Sequence, residues 1–353
     1  AAWLMSLLNE EKRPELLPLP LPPPAKFASL PEYTVDFVAE SITMIARFRP
    51  NLIEGSTHLL EDIMVFIVSM ISSPLHVKNP YLRSKLVEFL FDVVPREDDP
   101  RSFDPIASTV EALFQTHPII RSHLATALFR LYVDVEHTGS HNQFYEKFSI
   151  RYHIATITDW LWTLPNYRAS IREVAQDESK FLKFANMLVN DATFLLDESI
   201  RDLHEIAQIQ RVQEDRERWN SMPDTEKREM EEKMQQLEGA VKSFNQLGNS
   251  SVNMLRYLTE DDAVRKVFLR AEMVSRVADM LNYFLAQLAG PKCQELNVKD
   301  REKYHWEPRE LLGRIISIYT HFRKDHGFLS AVAADGRSYS STLFDRVANI
   351  ARN

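Results

Sequence analysis

Proline in this chain falls between the apolar periods and not inside them, and that leaves few folds open. Pro31, Pro50, Pro74, Pro80, Pro105 and Pro118 each border a stretch whose apolar side chains recur at helical spacing. Proline has no backbone N–H and a fixed φ, so it suits a first helical turn and breaks an interior one. The spacing predicts helices over 31–48, 56–72, 80–94, 105–116, 118–135 and 141–164. Asn79-Pro80 and Asp104-Pro105 repeat one device, an N-cap followed by proline. Beyond them the pattern predicts a long helix over 180–219, a partner over 224–247 opened by a capping box from Ser221 to Asp224, and helices over 250–258, 270–288, 308–323 and 338–353. Only eight glycines occur, which leaves little material for hairpins or phosphate-cradling loops. The expected fold is all-α, an irregular armadillo- or HEAT-like helical solenoid without a fixed period.

Two segments depart from that texture. Residues 1–29 read as a short N-terminal helix followed by Leu17–Pro24, LPLPLPPP, which is necessarily extended. That run is either a docking motif for a proline-binding module or a stiff connector strapped down by its leucines; the connector is the preferred reading. Residues 201–247 turn heavily charged while their apolar positions thin out, as in a projecting antiparallel helical hairpin. A partner-binding arm and a plain solvated hairpin fit it equally. The arm is expected to be the first internal region cut in limited proteolysis, ahead of 95–105.

A net charge of −8 argues against general nucleic-acid affinity, and no apolar run is long enough to cross a membrane. One cysteine, Cys293, excludes an internal disulfide and any cysteine-rich zinc site, and fits a reducing compartment. The chain starts at Ala1 with no evident start, as a fragment would.

Candidate chemistry is sparse. His137 and His141 have the i, i+4 spacing of two metal ligands, but Gly139 lies between them and no zincin glutamate follows. Cys293, in AGPKCQEL, has Lys292 beside it and no signature that names a histidine partner; a small buried hydrophobe is the plainer reading. Asp191, Asp197 and Glu198 suit capping and salt bridges better than acid–base work. The aromatics of 144–162 stand at core spacing. Chemistry alone describes a scaffold.

Five segments in order add a resemblance: Asn79–Phe91 (NPYLRSKLVEFLF), Tyr132–Ile154 (YVDVEHTGSHNQFYEKFSIRYHI), Met187–Ile200 (MLVNDATFLLDESI), Ala289–Cys293 (AGPKC) with Trp306-Glu307-Pro308, and Asp335–Tyr339 (DGRSY) with Leu343-Phe344. Together they resemble the helical core of the E4-type ubiquitin conjugation factors. The resemblance implies a core over 30–353 that carries a U-box beyond Asn353, and a family that extends ubiquitin chains on clients bound for the proteasome. It implies as partners a ubiquitin-conjugating enzyme (through the U-box), ubiquitin or ubiquitinated clients, the AAA ATPase segregase of the ubiquitin-fusion-degradation pathway, and ubiquitin-like shuttle receptors. Cytoplasm and nucleus are the implied locations. It places no catalytic, cofactor-binding or metal-ligating residue in this stretch, so a ligase scaffold, inactive alone, is expected. A non-enzymatic helical-repeat adaptor or transport scaffold is the alternative.

Overall fold

The computed structural model describes residues 1–9, 16–54, 56–95, 105–136 and 143–352, and among these it is all-α with no strand. The helices are α1 Ala2–Leu8, α2 Ala25–Ala28, α3 Tyr33–Phe48, α4 Asn51–Glu54, α5 Thr57–Ser72, α6 Pro80–Val93, α7 Pro105–Thr116, α8 Pro118–Asp134, α9 Gln143–Thr163 and α10 Pro165–Gln176. They continue with α11 Glu178–Glu214, α12 Arg216–Ser221, α13 Asp224–Glu260, α14 Asp262–Phe268, α15 Val274–Ala289, α16 Pro308–Phe322, α17 His326–Ala334 and α18 Ser341–Arg352. Two 3-10 turns, Pro291–Leu296 and Arg301–Tyr304, join α15 to α16. The chain divides into two compact units, Ala1–Phe184 and Ala185–Asn353.

In the N-terminal unit the Asn79-Pro80 device works as the sequence predicts. Asn79 Oδ1 accepts from the Tyr81 amide at 3.0 Å, and Pro80 occupies the first turn, where no N–H is needed. Ser56 caps α5 through the Leu59 amide. The helices stack in two rows: α3 packs on α6 and α6 on α9, while α5 packs on α8 and α8 on α10. This layered stacking of helix pairs is that of a helical solenoid. An aromatic cluster of Phe129, Tyr132, Phe181 and Phe184 lies in its core with ring centroids 4.5–5.6 Å apart. Such pairs contribute about 0.5–1.5 kcal/mol each beyond burial. In the proline run, Leu17 and Leu19 are buried and Leu21 is exposed.

In the C-terminal unit, α11 and α13 run antiparallel. Phe194 meets Phe244, Ser199 bonds Asn245, and Glu205 pairs with Lys233 at 2.8 Å. From Gln210 to Ala240 no residue is fully buried, so the far half of the pair is the expected charged arm. Its base is held from one side by the 297–304 segment. Lys299 pairs with Glu214 at 2.8 Å, and the Tyr304 hydroxyl donates to Glu238 at 2.8 Å. Trypsin is expected to cut first at Arg216, Arg218, Lys227 or Arg228, where there is no core to hold the backbone closed. First cleavage at Arg96 or Arg101, or inside α6 or α15, identified by mass spectrometry, would refute this.

The sequence reading erred at several boundaries. Helix α13 is continuous to Glu260 because Gly248 allows close approach: a Cβ there would lie 2.8 Å from Leu196 Cδ2. The long helix stops at Glu214 and not at Trp219, since the Asp215 side chain accepts from the Arg218 amide and starts α12. No capping box forms at Ser221, whose hydroxyl turns back to the Arg218 carbonyl. Helices α10, α14 and α17 were not anticipated. The expected helix start at Asp104 and most of the 95–105 segment lie outside the described residues.

Burial lowers the pKa of His76, His123 and His321 below the ordinary histidine value of 6.5. The unfolded chain therefore takes up these protons first, and stability rises with pH. Their contribution is complete above about pH 6.5 and is lost as pH falls through the lower folded values. A melting temperature that drops between pH 7 and 5.5, and drops less in His321→Gln, is the expected result. An unchanged slope in that variant would exclude His321 as a source.

Candidate functional site

The segments singled out in the sequence come together in two places, one in each unit. In the N-terminal unit Asn79–Phe91 and Tyr132–Ile154 build a charge network. Arg83 Nη2 pairs with Asp134 at 2.9 Å. Glu136 receives Lys147 at 2.9 Å and Arg151 at 2.8 Å. Arg151 is itself buried; its guanidinium lies 4.7 Å from the Tyr132 ring centre, and its Nε donates to the Tyr132 carbonyl. Burial opposes ionisation of Glu136, yet Lys147 and Arg151 hold its carboxyl below the usual range. This network locks the end of α8 to α9.

In the C-terminal unit, Met187–Ile200 and the Asp335–Tyr339 turn face each other across α15. Between them is a groove of about 690 Å³ with Val189, Phe194 and Met280 among its apolar lining. Its walls carry Arg276, Asp279, Tyr283, Asp335 and Arg337. Arg276 bonds the side chains of Asn186 and Asn190, and the Tyr283 hydroxyl donates to Asp197 at 2.5 Å. Burial and then that carboxylate push the Tyr283 pKa up to about 12, so the hydroxyl stays a donor. Burial raises the Asp279 carboxyl, with Asp335 adding to the shift. Against the burial of Asp335 itself, the Arg337 and Ser338 amides and Asn282 hold its carboxyl low. An apolar floor between fixed polar walls can hold a polypeptide segment.

The residues proposed from sequence do not assemble. Asp191 is buried, Asp197 is bound to Tyr283, and Glu198 pairs with Arg201 on its own helix. Cys293 is half-buried with Arg346 Nη2 at 3.7 Å from its sulfur. His137 and His141 lie outside the described residues, as do the side chains of Phe144 and Tyr145. Phe148 and Trp162 are core, and Trp160 packs edge-on to Phe114 at 5.0 Å. Among the described residues no three acidic, cysteine or histidine side chains are placed to hold a metal, and no helix is long and apolar enough to cross a membrane. The sequence reading missed Arg276, Asn282 and Tyr283. The signal was Asn282 itself, a polar residue inside the apolar period VADMLNYFLAQLA.

Stacked helical pairs, a long antiparallel pair with a charged far half, and a groove between fixed polar walls describe an all-α helical solenoid. Comparison with known proteins gives the family: the model of the ubiquitin elongating factor core matches residues 1–353, and the chain belongs to that family. It is 39% identical over 99% of its length to a probable ubiquitin conjugation factor E4 of Arabidopsis thaliana, covering 33% of that protein. It is 33% identical over 99% of its length to the ubiquitin conjugation factor E4 of Schizosaccharomyces pombe, covering 34% of it. Against the E4 ubiquitin-protein ligase UFD2 of Saccharomyces cerevisiae it is 33% identical over 93% of its length, covering 34%. The chain thus spans about a third of the length of these relatives.

Proposed function

We propose that this chain is the scaffold core of a U-box E3/E4 ubiquitin ligase, which extends ubiquitin chains on clients that already carry ubiquitin. The observation that carries the reading is the family match along the whole of residues 1–353, supported by relatives named as E4 conjugation factors and ligases. In this proposal the whole protein recruits a charged ubiquitin-conjugating enzyme through a U-box beyond Asn353, and the helical units hold the client and its ubiquitin. The AAA ATPase segregase of the ubiquitin-fusion-degradation pathway and ubiquitin-like shuttle receptors are the proposed further partners, in cytoplasm and nucleus. The bound Tyr283–Asp197 pair and the Arg276–asparagine contacts support a positioning role for the C-terminal groove, since they fix its walls without supplying a reacting group.

A chain-extension assay on a ubiquitin-fusion substrate tests the proposal. The full-length protein is expected to build chains with a suitable conjugating enzyme, and residues 1–353 alone are not. Cys293→Ser in the full-length protein should leave extension within about twofold of wild type, because U-box transfer makes no thioester on the ligase. Loss of extension in that variant would replace the U-box mechanism with a cysteine-dependent one. Failure of the full-length protein with several conjugating enzymes would favour the adaptor reading.

A further inference from the structure

The turn that holds the base of the charged arm is itself held in an unfavourable conformation. Asp300 (φ 51°, ψ 53°) and His305 (φ 49°, ψ 37°) both lie in the left-handed region, and they bracket the 3-10 turn Arg301–Tyr304. Among the described residues no other non-glycine residue has a positive φ. Aspartate and histidine enter this region more readily than most, yet still at a cost that glycine avoids. Their side chains are exposed and do not account for it. Such a conformation persists only where its surroundings impose it. The surroundings here are the two arm helices. The Tyr304 carbonyl accepts from Asn245 Nδ2 at 2.8 Å, and the Tyr304 hydroxyl accepts from Gln210 at 3.3 Å while donating to Glu238. Lys303 pairs with Glu238 at 2.5 Å, Lys299 pairs with Glu214 at 2.8 Å, and the Lys299 amide donates to Gln210 Oε1 at 2.9 Å.

We propose that residues 299–305 are a strained latch on the arm. Closed, the latch ties the turn to α11 at Gln210 and Glu214 and to α13 at Glu238 and Asn245, and so fixes the direction of the arm beyond them. Open, the turn relaxes and the arm bends at its base. Three features poise it to open. Lys299 and Lys303 are 59% and 54% exposed, so their ion pairs are weakened by solvent. Val298 and Trp306 are buried on either side of the turn, which anchors its ends and confines the opening to the residues between. Gly239 follows Glu238 inside α13 with no atom within 4 Å of where a Cβ would stand, so packing does not call for glycine there, and it weakens the helix at the level of the latch. What opposes opening is the Tyr304 ring, 1% exposed, which must leave its buried site. Relief of the two left-handed residues offsets part of that cost, and this is what distinguishes a latch from an ordinary docked turn.

Two readouts on the 353-residue chain test this, and neither depends on ligase activity. The first is amide exchange across 299–306. The second is the distance distribution between spin labels at Asn220→Cys, near the arm tip, and Ser275→Cys on α15, both exposed, in a Cys293→Ser background. Asp300→Gly with Asn-free replacement of the other end, His305→Gly, removes the strain without touching a tie. It should slow exchange in the turn about tenfold and narrow the distance distribution. Tyr304→Phe keeps the buried ring but loses both hydroxyl bonds. It should speed that exchange about tenfold and broaden the distribution. Exchange that is unchanged or faster in the double glycine variant overturns the proposal, because the turn then stores no strain. So does a distance distribution that is the same in wild type and Tyr304→Phe, because the turn then does not hold the arm.

Discussion

Replacing Asp134 with alanine is expected to destabilise the N-terminal unit by about 3 kcal/mol, the lower end of the cost of stranding a buried charge. Arg83 is 2% exposed, and among the described residues only Nη2 of its three guanidinium nitrogens has a partner, Asp134 at 2.9 Å. Burial pulls the Arg83 pKa down and the Asp134 bond restores part of it, so the pair is what makes the charge tolerable there. The lower end applies because the Asp134 side chain keeps 29% of its surface in solvent. Arg83→Met removes the charge but keeps an apolar stem of similar length. It should cost about 1 kcal/mol or less, as should Arg83→Met combined with Asp134→Ala. Global unfolding of a two-unit chain need not be two-state, so amide exchange in α6 and α8 is the appropriate readout. If Asp134→Ala costs less than about 1 kcal/mol there, water reaches Nε and Nη1 and the pair is not needed.

Helices with a local signal at both ends were legible in the sequence. Pro80 after Asn79, and Pro118 in the first turn of α8, mark their helices by backbone chemistry that tertiary packing does not override. Not every such mark was read, since α10 also opens with a proline, Pro165, and was missed. Helix α14 is only seven residues long, capped by Asp261 through the Ala263 and Val264 amides. Helix α17 has a good cap in Asp325, 2.8 Å from the Phe328 amide, but is only nine residues long. The helix expected to stop at 247 runs on through Gly248, whose lack of a side chain serves packing against Leu196. Such a reason is tertiary and leaves no local trace. Gly290 does end its helix, because a Cβ there would collide with the Ala286 carbonyl oxygen.

The candidate site was less legible than the fold. The strings Met187–Ile200 and Asp335–Tyr339 were visible, but the residues that join them lie on α15, far from both in sequence. Arg276 reaches back across 86 and 90 positions to Asn190 and Asn186. Single-sequence periodicity cannot assign a long polar side chain a partner at that distance. It can assign apolar residues a face, which is why the α15 core positions Val277, Leu281 and Phe284 were readable and Arg276 was not.

Asn282→Leu is expected to cost the C-terminal unit about 3 kcal/mol, although it exchanges a polar side chain for an apolar one of similar size. Asn282 is fully buried and joins three elements. Its Nδ2 donates to the Val332 carbonyl and to Asp335 Oδ2, each at 3.0 Å, and its Oδ1 accepts from the Tyr319 hydroxyl at 2.6 Å. Leucine leaves all three without this partner, and an unsatisfied buried group costs roughly 1–3 kcal/mol. Asp335 suffers least, because the Arg337 and Ser338 amides still hold it. The Tyr319 hydroxyl, whose pKa burial already raises, suffers most. Tyr319→Phe alone should cost about 1–2 kcal/mol by orphaning Asn282 Oδ1. Combined with Asn282→Leu it should cost less than the sum of the two, since the second change removes a group the first has stranded. Strict additivity in that cycle, read from amide exchange in α15 and α17, would show that the two side chains do not act as one network. The Asp335 turn would then depend on its own backbone amides and not on the core beneath it.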